Sequence, residues 1–215
     1  MARDRRIEKM SSDSTTERNA SAANWREELP TLTSRTLVMR EPIAQDLGAL
    51  VDLLSIGDAS RFDIDGPVTD VAVLDFIERA HRARAAGLSF TYVAIVSASR
   101  SLVGIVHVRQ LDPSFEAGEW DGMLAPSSRG TGLFLEAARL VGSFAFRSVG
   151  AHRIEARVLL QNGRANGALR KIGAVQEGVL RRSVRRGGEY FDQVLWSVLK
   201  DDWSDHWVST TPRVH

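Results

Sequence analysis

The stretch of sequence that decides the fold reads LAPSSRGTGL and covers residues 124–133. It follows a strand-like run and leads into a segment with the apolar spacing of an amphipathic helix. Two glycines, Gly130 and Gly132, let the backbone turn tightly and approach a ligand without an intervening Cβ. The first turn of a helix has unpaired N–H groups and a partial positive charge, and Arg129 adds a planar cation. The stretch therefore has the features of a phosphate cradle.

Taken alone, this pattern does not separate a phosphate cradle from an ordinary tight turn before a helix. The dinucleotide-binding fingerprint needs a third glycine, which is missing here. No Gly-Lys-Ser/Thr follows, so the stretch is not the phosphate loop of nucleoside triphosphatases either. The order of the surrounding elements has to decide between the two readings.

Hydrophobic periodicity outward from this stretch predicts an α+β domain with the element order β-α-α-β-β-β-α-β-α-β-β. Short connections between the second, third and fourth strands indicate an antiparallel meander. The predicted strands are 35–40, 90–96, 102–111, 119–124, 153–160, 175–181 and 191–199. The predicted helices are two that begin near Asp46 and Asp70, one at 132–148 and one at 162–172.

Composition indicates one soluble domain with tails, since the chain has 215 residues, of which 43% are hydrophobic and 26% charged. Residues 1–30 show neither helical nor strand periodicity and are predicted to form a disordered or loosely docked arm. Trp25 and Leu29 are the residues of this arm best suited to dock on the domain. The domain itself is expected at 31–203 and a short tail at 204–215.

Charge and composition also exclude several function classes. The formal net charge of +1 gives no overall field that would attract nucleic acid or an anionic membrane. The absence of cysteine excludes disulfides, thiolate metal sites and a cysteine nucleophile. No apolar run approaches the roughly 20 residues of a membrane span, and the N-terminus lacks the apolar stretch of a signal peptide. These features predict a cytoplasmic protein that acts on neither membrane nor nucleic acid.

Five segments in sequence order make the chain resemble the GNAT superfamily of N-acetyltransferases, in particular the branch with ribosomal-protein N-terminal alanine acetyltransferases. The resemblance spans roughly residues 32–203, and five segments in order are far more specific than any one. It implies a mixed central sheet of about seven strands with four flanking helices, splayed between the fourth and fifth strands. The segments are 32–40, 126–132, 152–158, 162 with 169–174, and 177–181.

The resemblance implies that acetyl-CoA lies in the splay, hydrogen-bonded to the exposed strand edge like an added strand. The strand's N–H near Met123 or Leu124 would polarise the thioester carbonyl. Carried over to this chain, the edge runs from Met123 through Leu124 and Ala125 to Pro126. The pyrophosphate would meet backbone N–H groups of Arg129, Gly130, Thr131, Gly132 and Leu133.

A second donor contact is expected at the helix that follows the fifth strand. The resemblance implies that Asn162 holds the pantetheine arm of acetyl-CoA, and the same residue is also a plausible helix N-cap. A serine usually stands three residues later in this family. Ala165 occupies that position here, so Asn166 is the further candidate for a donor contact.

On the acceptor side, the resemblance implies direct attack of an amine on the thioester, with a base that removes a proton from the ammonium. Glu119 is the first candidate base. Asp121, two residues on and on the same strand face, is the second. Either is otherwise a carboxylate on a solvated strand. The tyrosine acid of many members is absent, since Ala168 and Leu169 stand there, and no acid is assigned.

Two further segments are candidates for acceptor binding. Phe62 and Asp63 lie in the loop between the first two helices, which borders the acceptor site in this fold, and an exposed flexible loop is the alternative. Acidic residues here would suit a cationic acceptor. The basic run at 181–186 indicates either contact with an acidic acceptor or a solvated hairpin.

The sequence thus predicts an N-acetyltransferase that moves an acetyl group from acetyl-CoA to a primary amine, without a metal. The amine would belong to a protein N-terminus or to a small molecule. The missing tyrosine leaves a non-catalytic acyl-CoA-binding sensor or partner-binding protein as the alternative. Acceptor identity, acyl length and oligomeric state stay open, a homodimer included.

Overall fold

One mixed sheet organises the computed structural model, which describes residues 25–57 and 59–203. Its order across the sheet, with strands numbered along the chain, is β1-β2-β3-β4-β5-β6-β8-β7. The strands are β1 (Leu32–Thr33), β2 (Leu37–Arg40), β3 (Ser89–Val96), β4 (Leu102–Gln110), β5 (Ala117–Leu124), β6 (Arg153–Leu159), β7 (Val175–Arg186) and β8 (Glu189–Leu199).

Helices cover both faces of this sheet. The longer ones are α1 (Leu47–Ser55), α2 (Asp70–Ala85), α3 (Leu133–Phe144) and α4 (Gly163–Lys171), and a helical turn precedes them at residues 25–27. Helix α3 continues into a wider π-helical turn over Ala145–Val149.

The two helical layers make two separate cores because neighbouring strand residues point to opposite faces. Val93 packs with α1 and α2 in one core, and Tyr92 packs with α3 and α4 in the other. Both side chains are fully buried. Six of the eight residues of strand β3 are therefore apolar, and its first six positions are buried, as expected for a strand covered on both faces.

The predicted α+β class and the antiparallel meander are confirmed, since β2, β3, β4 and β5 pair antiparallel in that order. The sheet has one strand more than predicted because Leu32 and Thr33 pair with Met39 and Val38 of β2. The last hairpin is longer than predicted. Its strands stay paired as far as Arg186 opposite Glu189, with shifts of register on the way.

The predicted splay between the fourth and fifth predicted strands is confirmed between β5 and β6. These two strands run parallel but pair only at three positions, from Ala117 with Arg153 to Glu119 with Glu155. Beyond Glu119 they diverge, so residues 120–124 of β5 have an edge without a strand partner. This edge is where the candidate site lies.

The predicted arm and tail fall mostly outside the described residues, namely at 1–24 and 204–215. At the start of the described part of the chain, Trp25 and Leu29 are both buried. The Trp25 ring lies edge-on to Phe90 and Phe115, at centroid distances of 6.0 and 5.8 Å. In the part of the chain that is described, no helix combines the length and hydropathy needed to cross a membrane.

Candidate active site

A cleft of about 370 Å³ opens where β5 and β6 diverge. One side of it is apolar and comes from the layer of α3 and α4, with Phe134, Ala156, Val158 and Leu169. The other side is polar and comes from the layer of α1 and α2, with Glu119 and Asp121 among its lining residues.

The backbone of β5 offers alternate hydrogen-bonding groups to this cleft. The Ala125 N–H donates to the Val103 carbonyl at 2.8 Å, so Ala125 faces β4. Because antiparallel pairing alternates along a strand, Met123 faces β4 as well, whereas Gly122 and Leu124 face the cleft. The Leu124 carbonyl accepts from Arg129 Nε at 3.2 Å, in agreement with this direction.

Two predicted donor contacts are corrected by this alternation. The N–H groups of Met123 and Ala125 are directed to β4, and their side chains pack against the core of α1 and α2. Leu124 is therefore the residue of the predicted edge whose N–H faces the gap. The alternation of residues along a strand could not show whether the N–H of Met123 or that of Leu124 faces the cleft. The register of β5 against β4 was needed for that.

The predicted phosphate loop has the backbone that its glycines suggested. Gly130 and Gly132 have φ angles of 79° and 90°, in the left-handed region that favours glycine. No heavy atom lies within 4 Å of the position of a Cβ at either residue, so the space above the loop is open. The Thr131 hydroxyl donates to the Ser128 carbonyl at 2.7 Å and tightens the turn.

The loop leads directly into the first turn of α3, whose N-cap is Gly132. The N–H groups of this turn have no intrahelical acceptor, and they face the open space with the positive end of the helix dipole. Arg129 differs from the prediction, since its N–H donates to the Pro126 carbonyl at 3.2 Å. Its exposed guanidinium is the group it can offer to a phosphate.

A carboxylate that the sequence analysis did not single out fixes the start of α3 to the sheet. Glu136 accepts from the Thr36 N–H at 3.2 Å and also from the Thr36 hydroxyl. Burial acts to raise the pKa of Glu136, but hydrogen bonds from Ser34 and Thr36 outweigh it and lower the pKa below its usual value. The 100-residue separation of the partners explains why no local pattern indicated the contact.

Asn162 caps α4 and also lines the cleft. Its Oδ1 accepts from the Ala165 N–H at 3.1 Å, as the N-cap reading predicted. The same residue borders the gap between β5 and β6. Asn162 can therefore cap α4 and also contact acetyl-CoA in the cleft.

Asn166 does not fit the predicted donor contact. Its side chain is buried and does not line the cleft. The amide nitrogen donates to the Asn162 and Leu159 carbonyls at 2.9 and 3.0 Å, and Oδ1 accepts from Trp196 Nε1 at 2.8 Å. The amide is therefore used inside the protein, where it ties α4 to β6 and β8.

Glu119, the first candidate base, lies at the centre of an ion-pair network. Its side chain is only 6% exposed. One carboxylate oxygen accepts from Arg109 and the other from Arg157. Arg157 also contacts Glu155 at 3.3 Å. Because both oxygens of Glu119 already accept from guanidinium groups, it is poorly placed to take a proton from a substrate.

Asp121, the second candidate base, has a freer carboxylate. Arg61 contacts a single oxygen, Oδ1, through Nε at 2.7 Å and through Nη2. Burial raises the pKa of Asp121 above its usual value, and the nearby Arg61 guanidinium offsets only part of this rise. A carboxylate with a raised pKa and an oxygen left for substrate is suited to accept a proton.

His107 lies beside this carboxylate, since it is the cross-strand partner of Asp121. Its Nδ1 is 2.9 Å from the hydroxyl of Thr91. Burial lowers the pKa of His107 to about 4, so the imidazole is neutral at pH 7. We interpret His107 as a neutral packing neighbour of Asp121.

The loop between α1 and α2 is placed near the cleft, but not as predicted. Phe62 is 2% exposed and packs edge-on against Phe76 at 6.2 Å, in the core of α1 and α2. Asp63 is exposed and absent from the cleft lining, and its carbonyl accepts from Arg79 at 2.9 Å. The loop instead presents Ser60 and Arg61 to the cleft. The predicted acceptor contacts of Phe62 and Asp63 are corrected accordingly.

A sheet that opens beside a glycine-containing loop at a helix start offers a place for a phosphate group and a strand edge for an extended ligand, with carboxylates on the polar side of the gap. The sequence matches the family described as Acetyltransferase (GNAT) domain over residues 36–175, well over half of the chain. The chain therefore belongs to the GNAT acetyltransferase family, and it is an acetyl-CoA-dependent acyltransferase.

Individual relatives agree with this assignment. The protein called uncharacterized N-acetyltransferase YnaD, from Bacillus subtilis (strain 168), is 23% identical over 175 residues, which are 80% of this chain and 99% of YnaD. The ribosomal-protein-S5-alanine acetyltransferase from Vibrio fischeri has a similar fold, with a TM-score of 0.70 at 19% identity, over 81% of this chain and 99% of that one. Mycobacterium smegmatis RimJ, solved in complex with CoA-disulfide, gives a TM-score of 0.71 at 17% identity, over 83% and 91%. The resemblance to the GNAT superfamily is thereby confirmed, and the two solved structures share its fold.

Proposed function

We propose that this chain transfers the acetyl group of acetyl-CoA to a primary amine, either a protein N-terminus or a small-molecule amine, by direct attack. The observation that carries the proposal is the free edge of β5. This edge ends in the phosphate loop and carries Asp121 on its polar side. A donor bound along it would place the thioester beside an amine that contacts Asp121, and such placement supplies much of the rate.

The donor contacts follow from the direction of the backbone groups. The pyrophosphate would meet the N–H groups of residues 130–133 and the guanidinium of Arg129. The pantetheine arm would run beside Gly122 and Leu124 like an added strand, with Asn162 on its other side. Within the predicted edge 123–126, the Leu124 N–H is the backbone group that faces the cleft and would polarise the thioester carbonyl.

The acceptor step needs one base. The amine nitrogen attacks the carbonyl carbon, a C–N bond forms, the C–S bond breaks, and CoA leaves as a thiolate. The proton of the ammonium goes to Oδ2 of Asp121, directly or through a water molecule. Glu119 is assigned a supporting role instead, because its carboxylate orders Arg109 and Arg157.

Isothermal titration with acetyl-CoA tests the donor site. The wild type should bind, and Arg129→Glu should bind more weakly by at least about tenfold, which corresponds to about 1.4 kcal/mol. Arg82→Glu is the matched control, since Arg82 is exposed on α2 and outside the cleft. Equal affinities in the two variants would contradict the proposed donor contacts.

Turnover is then measured as amine-dependent release of CoA. The chain contains no cysteine, so a thiol-reactive dye reports the released CoA without background from the protein. Release that depends on a primary amine, with the acetylated product seen by mass spectrometry, would support the proposal. Donor binding without release on any amine would favour the sensor alternative instead.

A further inference from the structure

We infer that Trp120 limits the donor to a short acyl group, because its indole closes the end of the gap along which the donor lies. The inference rests on the proposed function and names the acyl class of that donor. It starts from an apolar cavity of about 30 Å³ that lies next to the cleft and shares three lining residues with it. The shared residues are Trp120, Ala156 and Leu169.

The cavity lies within the layer of α3 and α4, behind the apolar side of the cleft. Helix α3 lines it with Ala138, Gly142 and Ala145, whose small side chains leave the space, and β8 lines it with Trp196. Nearly all of the surface around it is apolar. Apolar cavities stay free of water and bind apolar groups. This cavity therefore suits the carbon chain of an acyl group.

Two polar residues also border the cavity, but their polar groups have partners inside the protein. The carboxylate oxygens of Glu155 accept from Arg153 at 2.9 Å and from Arg157 at 3.3 Å. The Ser197 hydroxyl donates to Glu177 at 2.7 Å. These contacts leave the apolar character of the cavity intact.

Trp120 stands between the cleft and the cavity. Alternation along β5 directs its side chain to the layer of α3 and α4, opposite to Glu119 and Asp121. The half-buried indole lies edge-on to Phe134, at a centroid distance of 6.4 Å. Its Nε1 is 3.1 Å from the position that a Cβ would take at Gly122. The ring thus lies against the free edge of β5, which the absence of a side chain at Gly122 permits.

The direction of the donor brings its acyl end to this ring. The phosphate loop follows the C-terminal end of β5, so a donor held there enters the gap beside Leu124 and extends toward Trp120, where β5 and β6 begin to pair. From Leu124 to Trp120 the edge is about 13 Å long, at about 3.3 Å per residue. An acetyl group on a thioester at Leu124 would end near Gly122. Further carbon atoms would meet the indole of Trp120.

Titrations with acetyl-CoA and butyryl-CoA test the inference without any acceptor. The ratio of the two Kd values is compared between variants, so an effect on the rest of the donor site cancels. The wild type should bind acetyl-CoA at least about tenfold more tightly than butyryl-CoA. Trp120→Leu should join the cavity to the cleft. Burial of one methylene group strengthens binding about fourfold, so butyryl-CoA, with two more methylenes, should gain about tenfold relative to acetyl-CoA.

Trp196→Phe is the matched control, because Trp196 lines the cavity but not the cleft, and it should keep the ratio of the wild type. Trp120→Phe removes less volume and threatens folding less than Trp120→Leu, and it should shift the ratio in the same direction by severalfold. Equal affinities of the wild type for the two ligands, or a ratio that both Trp120 variants leave unchanged, would overturn the inference while the proposed function stands. If the wild type does not bind acetyl-CoA, both fall together.

Discussion

Replacement of Asn166 by alanine should destabilise the fold strongly while leaving the affinity for acetyl-CoA almost unchanged. The amide makes three short hydrogen bonds, to the carbonyls of Leu159 and Asn162 and from the indole of Trp196. Each contributes about 1 kcal/mol net, and a buried indole N–H left without an acceptor costs about 1–3 kcal/mol. Because these contributions overlap, we expect the free energy of unfolding to fall by about 3 kcal/mol.

Thermal and urea unfolding measure this loss. For a domain of this size, about 3 kcal/mol lowers Tm by roughly 6–12 °C. Titration with acetyl-CoA at a temperature where the variant is folded should give a Kd within about threefold of the wild type, since the amide does not line the cleft.

Trp196→Phe completes a double-mutant cycle, because it removes the donor that Asn166→Ala leaves unpaired. The double variant should be more stable than the two single losses predict by about 1–3 kcal/mol. A loss below about 1 kcal/mol in Asn166→Ala would refute the structural role. A tenfold weaker Kd in the folded variant would restore the donor contact that the sequence suggested.

Substitutions of Asp121 and Glu119, the two carboxylates of β5, should have different effects, the first on activity and the second on stability. Asp121→Asn is expected to lower kcat by about 10²–10⁴ without changing donor affinity, as stopped assays of acetylated product would show. Glu119→Gln should instead lower the free energy of unfolding by about 3 kcal/mol, since it weakens a buried ion-pair network, and calorimetry checks this. Arg61→Gln should move the acidic limb of the pH profile of kcat/KM to higher pH. The reason is that Arg61 lowers the pKa of Asp121, so its removal raises that pKa. An acidic limb that does not move would exclude Asp121 as the titrating base. Glu136 has a folded-state pKa below its unfolded value of 4.5, so its contribution is present above pH 4.5 and is lost as the pH falls through the folded pKa. Urea titrations at several pH values should therefore show the stability advantage of wild type over Glu136→Gln shrinking below pH 4.5, whereas a constant difference would contradict the bond to Thr36.

The parts of the site that depend on local chain geometry could be predicted from sequence. Glycines at 130 and 132 indicated a tight turn before a helix, and both residues adopt the positive φ angles that such a turn uses. Asn162 indicated an N-cap and caps α4. The position where the sheet opens was predicted from the resemblance to the GNAT superfamily, which five segments in sequence order carried.

The parts that depend on distant partners could not be predicted. Asp121 and Glu119 look alike in sequence, and what distinguishes them is Arg61, 60 residues from Asp121, and Arg157, 38 residues from Glu119. Asn166 follows a cap and looked available to a ligand, but its acceptor role is taken by Trp196, 30 residues away.

The predicted acceptor contact of Phe62 was wrong for a different reason. Acidic neighbours and a glycine made its segment look like a solvated loop, and Asp63 is indeed exposed. One aromatic side chain in such a loop is still enough to reach a core, and Phe62 does so against Phe76. Segment polarity predicted the position of the backbone but not that of this side chain.

The short ladder between β5 and β6 makes the sheet two leaves joined by three residue pairs. A donor bound in the gap would act as an inserted strand that clamps the leaves together. At a hundredfold excess over Kd it would add about 2.7 kcal/mol to the free energy of unfolding. The amide hydrogens of Gly122 and Leu124 would then exchange more slowly with solvent. The concentration of acetyl-CoA would therefore contribute to the free energy of unfolding of this protein. A higher concentration would let the chain tolerate more destabilising substitutions.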